Sequence, residues 1–397
     1  MRPHCSLLRL SATLAVAGTT ALAIAPTASA RLLARAAYVP NDSGVTSAGG
    51  PAGGWQAVQW ELNGPFGINA TQAWSQASRL GGSGGNGVTI AVLDSGVAYA
   101  DRGPYRRSPD LSDARFVRGH DFVDEDPYPN DEFGHGTFVA STIGATANNA
   151  YGTVGVAYRA RIMPLRVLDV EGRGYPGTIA RAIRYAARHG ADIVNLSLEL
   201  YDAPPQPPVP RSVTASRSVR AALAEARSAG ALVVAAAGNS FDPRVPGKRY
   251  DTLAVNVCGT TEHGCLGSYS NHGPGMDIVA PGGGADAELA TDPNCQLDAP
   301  PGRDISGVSF PSGMPRHFEI LPRFRGTSTA APHVSGVAAL VIASGVIGKD
   351  PTPATIERHL ERTARDLGTP GHDRLYGAGI VDATAATAPV QGPTPSG

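Results

Sequence analysis

Four short apolar runs punctuate the chain: VTIAVLD (88–94), RIMPLRVLD (161–169), ADIVNLSL (191–198) and ALVVAAAGN (231–239). Their near-continuous hydrophobicity is that of strands buried on both faces, as in a parallel sheet covered by helices. Between them lie GTIARAIRYAARHG (177–190) and SVRAALAEARSAG (218–230), where apolar positions recur at helical spacing. Each ends in glycine, the residue favoured just past a helix C-terminus. Strands alternating with helices predict an open three-layer α/β sandwich, with a mostly parallel central sheet and helices on both faces.

Polar and Gly/Pro-rich stretches mark where the pattern stops. Segment 42–54 (DSGVTSAGGPAGG), segment 201–212 (YDAPPQPPVPRS) and segment 386–397 (ATAPVQGPTPSG) carry no packing signal and read as linkers, a surface loop and a tail. Segment 282–307 is too long for an ordinary connection and reads as a functional or ion-stabilised loop. The expected organisation is a leader at 1–30, a flexible segment at 31–54 with no long prodomain, one domain at 55–385 and a disordered tail at 386–397. No internal repeats are visible.

The leader rests on Arg2 and Arg9, the apolar run LSATLAVAGTTALAIA and the small-residue site Ala28-Ser29-Ala30, the layout of a secretory signal peptide. No other stretch approaches the roughly 20 apolar residues of a spanning helix. The mature chain is therefore expected to be exported, without a membrane anchor. With 33 basic and 34 acidic residues the net charge is -1, which removes an electrostatic reason for nucleic-acid or membrane binding. Export permits a disulfide among Cys258, Cys265 and Cys295. A hairpin bridge between Cys258 and Cys265, across GTTEHG, is the expected pairing.

Ligands of open α/β sheets bind beyond the carboxyl ends of the strands. Asp94 ends the first run and precedes Ser95-Gly96, while Asp169 ends the second. By position alone the two acids are equal candidates. His135 stands between two glycines at the start of a small-residue helical run, DEFGHGTFVASTIGA (131–145). Asn239 ends the fourth run, where its amide can either form a turn or donate to an oxyanion. The stretch FRGTSTAAPHVSGVAALVIAS (324–344) opens a helix on Ser328, a helix cap or a nucleophile held where backbone N–H groups face an anion. His333, five residues on, lies about 140° round that helix and points away. An acid, an imidazole, an amide and a hydroxyl thus converge on one sheet edge.

The blocks AVLDSGV (91–97), GHGTFVA (134–140), VVAAAGN (233–239) and GTSTAAPHVSG (326–336) resemble the four signature blocks of the subtilisin-like serine peptidases, in that family's order Asp, His, Ser. GVAY (155–158), RVLD (166–169) and SNHGPGMDIVAPG (270–282) extend the similarity, which covers about 60–385. The resemblance implies a subtilisin-like sandwich and a secreted serine endopeptidase. It implies Asp94 as the triad acid, His135 as base, Ser328 as nucleophile and Asn239 as oxyanion donor. Ser197, Leu198 and Glu199 on one side, and Ala236, Ala237 and Gly238 on the other, would wall the pocket for an extended protein or peptide substrate bound by strand addition. The expected state is a monomer, and the chemistry needs no cofactor.

Several positions depart from the family pattern. Glu199 stands where the family has glycine after Ser-Leu, and would favour a basic side chain before the cut or narrow the pocket. Asp242 and Arg244 bring opposite charges towards the pocket base. Phe138 and Ser141 stand where histidine and glycine are common, which reads as altered packing. The family often binds structural calcium, for which Asp121, Asp124, Asp126 and Asp131, or Asp286, Asp292 and Asp298, offer hard oxygen ligands.

Overall fold

Strand β1 (Thr89–Asp94) is buried at every position, and its side chains alternate between two cores. Ile90 and Val92 face one core; Ala91 and Leu93 face the other. That double burial is why the run carries no polar alternation. The computed structural model describes residues 38–47, 50, 52–111, 115–201, 212–214, 216–243 and 253–389. The expected leader at 1–30, most of the proline-rich stretch, Arg244 and the tail from 390 lie outside the described residues.

Helices α1 (Trp55–Val58), α2 (Trp60–Asn63) and α3 (Ala70–Arg79) precede β1. Then come β2 (His120–Asp121), α4 (His135–Gly144), β3 (Arg161–Arg166), α5 (Pro176–Arg188), β4 (Ile193–Tyr201), β5 (Ser212–Thr214), α6 (Arg217–Ser228) and β6 (Leu232–Ala236). Strands β7 (Val255–Thr260) and β8 (Ile278–Pro281) complete the sheet, and β9 (Ile305–Ser309) and β10 (Glu319–Phe324) form a separate antiparallel pair. Helices α7 (Thr327–Ser344), α8 (Pro353–Thr363) and α9 (Ala383–Ala386) follow.

The main sheet runs β2-β3-β1-β4-β6-β7-β8, with β5 on β4, and every pairing is parallel. Strand order reverses direction between β1 and β4. That is the topological switch point where a crevice opens at the carboxyl ends. On one face, α5 and α6 pack Ile179, Ile183, Val219 and Leu223 against Ala91, Val194 and Val233. On the other, α3, α4 and α7 cover Ile90, Val92, Val234 and Val257. Helix α7 is buried at every position but Ile342 and Ala343, so it is apolar all round rather than amphipathic. Each of Val334, Val337, Leu340 and Val341 removed from water stabilises the fold by about 1.5–3 kcal/mol.

The fold is the three-layer α/β sandwich expected, and three details differ. Within the segment expected to be flexible, residues 38–47 are packed: the Tyr38 ring stacks on Tyr158, and buried Asp42 accepts from the N–H groups of Asn148 and Asn149. At the other end, Thr387 is buried and its hydroxyl donates to Gln76 Oε1 at 2.8 Å, so the domain continues past residue 385. The disulfide joins Cys265 to Cys295, and Cys258 is a buried free thiol. The expected hairpin does form, but Thr261 N donates to Cys265 O and Gly267 N to Gly259 O. This register sets Cys265 opposite Thr261, three residues or about 10 Å from Cys258 along the strand, beyond a disulfide's reach.

Candidate active site

Asp94 is the last residue of β1 and is fully buried. Both its carboxylate oxygens lie against His135 Nδ1, at 2.8 and 2.9 Å, and Oδ1 also accepts from Ser95 N at 2.7 Å. The imidazole is thereby fixed with its Nδ1 proton on the acid and its free lone pair on Nε2. That Nε2 is buried and has no hydrogen-bond partner among the described residues.

His135 is the first residue of α4, after Gly134 at φ 94°, where a side chain would be strained and would meet the Phe310 carbonyl. Gly134 offers no cap, so the orphan N–H groups of the helix start need another acceptor. Asp131 supplies it. Its carboxylate accepts from the N–H groups of Phe133, Gly134 and Thr137 and from the hydroxyls of Thr137 and Ser95, all within 3.0 Å. The Ser95 hydroxyl in turn accepts from Gly136 N. Burial raises the Asp131 carboxyl above its ordinary range against these bonds, which hold it down. The sequence offered Asp131 as a calcium ligand; an acid shortly before a glycine-led helix was the available signal for a cap.

Ser328 is the second residue of α7 and is buried at 3% exposure, yet its hydroxyl makes no hydrogen bond among the described residues. Its carbonyl is instead tied down. In an α-helix that carbonyl would accept from the N–H of residue 332, but residue 332 is proline and has none. The Ser197 hydroxyl, from β4, donates to it at 2.8 Å. Ser197 is itself held by Asn195 Nδ2 at 3.0 Å, and Asn195 Oδ1 accepts from Ser335 on α7. This chain locks the Ser328 turn to the middle of the sheet.

The first N–H of α7 is likewise capped from a distance. Thr327 N donates to Asn239 Oδ1 at 2.8 Å, and Thr327 Oγ1 accepts from Gly238 N at 3.0 Å. The loop carrying Asn239 is shaped by Asn271, whose Oδ1 accepts from Ser240 N and Asp242 N and whose Nδ2 donates to Ala237 O. Sequence reasoning noted the SNHGPG segment but gave Asn271 no role; a contact spanning some 30 residues leaves no local trace.

The other expected positions divide. Asp169 lies three residues beyond β3, and its carboxylate is taken up by Arg173 and by the N–H groups of Glu171 and Arg173 rather than by an imidazole. His333 is fully buried, with Nδ1 donating to Thr329 O, and burial pushes it down to about 4. Leu198 is buried in the core beneath α5 and α6, and Ser197 is spent on Ser328, so these two offer a substrate main chain rather than side chains. Pairing of β4 with β1 stops at Asn195, and β5 takes up the strand again at Glu199. The edge of Glu199 is therefore already paired. Phe138 stacks on Phe324 at 3.7 Å between ring centroids, bringing β10 beside His135. The Ser141 hydroxyl accepts from Val308 N at 3.2 Å and anchors β9 to α4, a bond that a glycine there could not make.

Neither acidic loop fits calcium. Arg166 Nη1 is bonded to Asp121 and Asp124 and its Nη2 to Glu132, so a cation would have to displace a guanidinium. Asp286 accepts from Thr261 Oγ1, His263 and Gln296 N, Asp292 accepts from the Tyr376 hydroxyl and Asn294 N, and Asp298 is exposed. Three carboxylates do meet elsewhere, at Asp277, Glu357 and Glu361. There Arg227 holds Glu357, and burial together with the neighbouring acids pushes Asp277 up to about 8.

A profile of the subtilase family matches residues 85–379. The chain is 35% identical to subtilisin BL of Lederbergia lenta over 328 residues, 81% of this chain and 98% of that protein. It is 33% identical over 355 residues to alkaline elastase YaB of Bacillus sp. (strain YaB), covering 88% of this chain and 74% of that protein. Among solved structures it is similar to proteases from Pseudoalteromonas arctica, with a TM-score of 0.67 at 30% identity over 88% of this chain and 99% of that one. A cold-adapted subtilisin-like serine proteinase gives a TM-score of 0.53 at 27% identity, over 75% and 88%.

Proposed function

We propose, for a chain that belongs to the subtilase family and is a serine endopeptidase, that Asp94, His135 and Ser328 are its catalytic residues and Asn239 its oxyanion donor. The observation that carries this is the His135 ring. Its Nδ1 is gripped by both oxygens of Asp94, while Nε2 is buried and without a partner among the described residues.

His135 Nε2 takes the Ser328 proton as Oγ attacks the scissile carbonyl, and the buried Asp94 stabilises the imidazolium that forms. The tetrahedral oxyanion is met by Asn239 Nδ2 and the Ser328 N–H at the start of α7. The proton on His135 then passes to the leaving amine, the acyl-enzyme remains on Ser328, and water releases it by the same steps. An extended substrate lies along Ser197 and Leu198 on one side and Ala236, Ala237 and Gly238 on the other, with Glu199 at the end of the first wall.

Export follows from the leader-like first 30 residues, and the Cys265–Cys295 disulfide favours an oxidising compartment. No helix among the described residues is long and apolar enough to cross a membrane. We take the protein to act as a monomer on other proteins.

The test is a fluorophosphonate probe together with casein digestion. Wild type should be labelled on Ser328 and cleave casein, and Ser328→Ala should lose both. Labelling that survives in Ser328→Ala would move the nucleophile elsewhere. Sequencing the digest reads Glu199: enrichment of Lys and Arg before the cut supports a role in selection, and an apolar preference removes it.

A further inference from the structure

At the sheet edge opposite the catalytic residues, a cavity of about 940 Å³ opens beside Gly87, just before β1, and Arg161, the first residue of β3. Since β1 spans six residues, the cavity is about 20 Å from the Asp94 end of that strand. Its lining includes three arginines, Arg115, Arg159 and Arg161, and no carboxylate. We propose that this cavity binds an organic oxyanion, a phosphate or sulfate ester, at a site separate from the catalytic one.

None of the three arginines forms an ion pair among the described residues; Asp110 acts on Arg115, and Asp192 on Arg161, only through space. Arg115 donates to the Tyr158 carbonyl and to Thr146 Oγ1, and Arg161 donates to Gly87 O. These acceptors are neutral. The Arg159 guanidinium has no hydrogen-bond or ion-pair partner among the described residues. The nearby acids are turned elsewhere: Asp42 towards Asn148 and Asn149, Asp110 towards Thr153 and Asn149, and Asp192 towards Thr89 N. Asp110, whose field reaches Arg115, is pushed up to about 7 by burial, so it is a weak counter-ion at neutral pH.

A half-buried guanidinium beside a second cation is costly unless an anion compensates. Burial and Arg159 together lower Arg115 to about 10, which leaves it charged. Guanidinium forks match phosphate and sulfate oxygens in pairs. Tyr38 and Tyr158, stacked at 5.7 Å, give the same cavity an aromatic wall for the organic part. The volume is that of a small-molecule site. The wall is also braced, because Asn148 holds a left-handed φ of 64° through bonds to Asp42 and Asn41.

Calorimetry on the full chain carrying Ser328→Ala, which prevents autolysis, should show saturable binding of phenyl phosphate or phenyl sulfate above an equal-ionic-strength chloride control. The tighter ester identifies the source of the anion. Arg159→Ala should weaken binding about tenfold, and adding Arg161→Ala should abolish it. Both side chains are exposed, so the same substitutions in the active chain should leave casein cleavage unchanged and report an intact fold. Absence of saturable binding with either ester, or an affinity unaltered in the double variant, overturns the proposal.

Discussion

Helices α4 and α7 solve the same problem in different ways. Each presents a proposed catalytic side chain in its first turn, His135 or Ser328, after a glycine with positive φ that provides no cap of its own. For α4 the cap is local: Asp131 lies within six residues of every N–H it receives, from Phe133 and Gly134 just before the helix and from Thr137 within it. For α7 it is remote, from Asn239 at 88 residues' separation and Ser197 at 131. A local cap holds its helix whenever the helix forms. Remote ones exist only when the sheet is complete, so Ser328 reaches its working geometry as the whole fold closes.

The sharpest way to divide the remote cap is to separate the two ends of Asn239. Asn239→Ala should lower kcat by roughly 10²–10³, a magnitude that comes from subtilisin itself, a member of this family, rather than from the present geometry. It should also cost about 1 kcal/mol of stability through the lost cap. Asn239→Asp keeps the oxygen facing Thr327 N, and so should keep the stability while losing the rate. Equal stability loss in both variants, measured by urea unfolding, would mean that Oδ1 does not cap α7.

The local hub is tested by Asp131→Ala. Five donors lose their acceptor together, and at about 1–3 kcal/mol for each buried group left unpaired a net loss of about 3 kcal/mol is expected after water enters. Asp131→Asn should retain part of this, because one amide oxygen remains. If Asp131→Ala unfolds at the wild-type urea midpoint, α4 does not depend on its acid.

This contrast also explains what was legible in the sequence. Strands buried on both faces and helices ending in glycine are local patterns, and they fixed the sandwich and the edge where Asp94, Asn239 and Ser328 gather. The Asp94–His135 pair needed the family blocks to break the tie with Asp169. Beyond that, the informative contacts are long-range. Nothing in SNHGPG announces that Asn271 braces the Asn239 loop, and acidic loops look alike whether they hold calcium or Arg166. The disulfide failed as an expectation for a similar reason: the hairpin was legible, its register was not.

Helix α7 carries a pH liability of its own. His333 has its pKa lowered from 6.5 to about 4 by burial, so the folded state resists a proton that the unfolded chain accepts. Stability from this group is full above about pH 6.5 and is lost as pH falls towards 4, by about 3 kcal/mol in all. Urea midpoints of wild type and His333→Asn measured from pH 7 to pH 4 should diverge, the wild type falling faster by about one proton's slope. Parallel curves would mean that His333 titrates normally.

The smallest expected effect examines the proline in α7. Because Pro332 gives Ser328 O no intrahelical donor, the Ser197 hydroxyl is the bond that satisfies this buried carbonyl. Ser197→Ala should therefore cost about 1–3 kcal/mol. Pro332→Ala restores an N–H four residues along and offers the carbonyl a second source. If the remote bond substitutes for the missing helical one, Ser197→Ala should cost less in a Pro332→Ala background, with a coupling of about 1 kcal/mol in a double-mutant cycle. Additive costs would show that the carbonyl never depended on Ser197, and the link from β4 to the nucleophile would then be contact without consequence. A kcat that falls with Ser197→Ala and recovers in the double variant would instead place that carbonyl's anchorage among the features that aim Ser328.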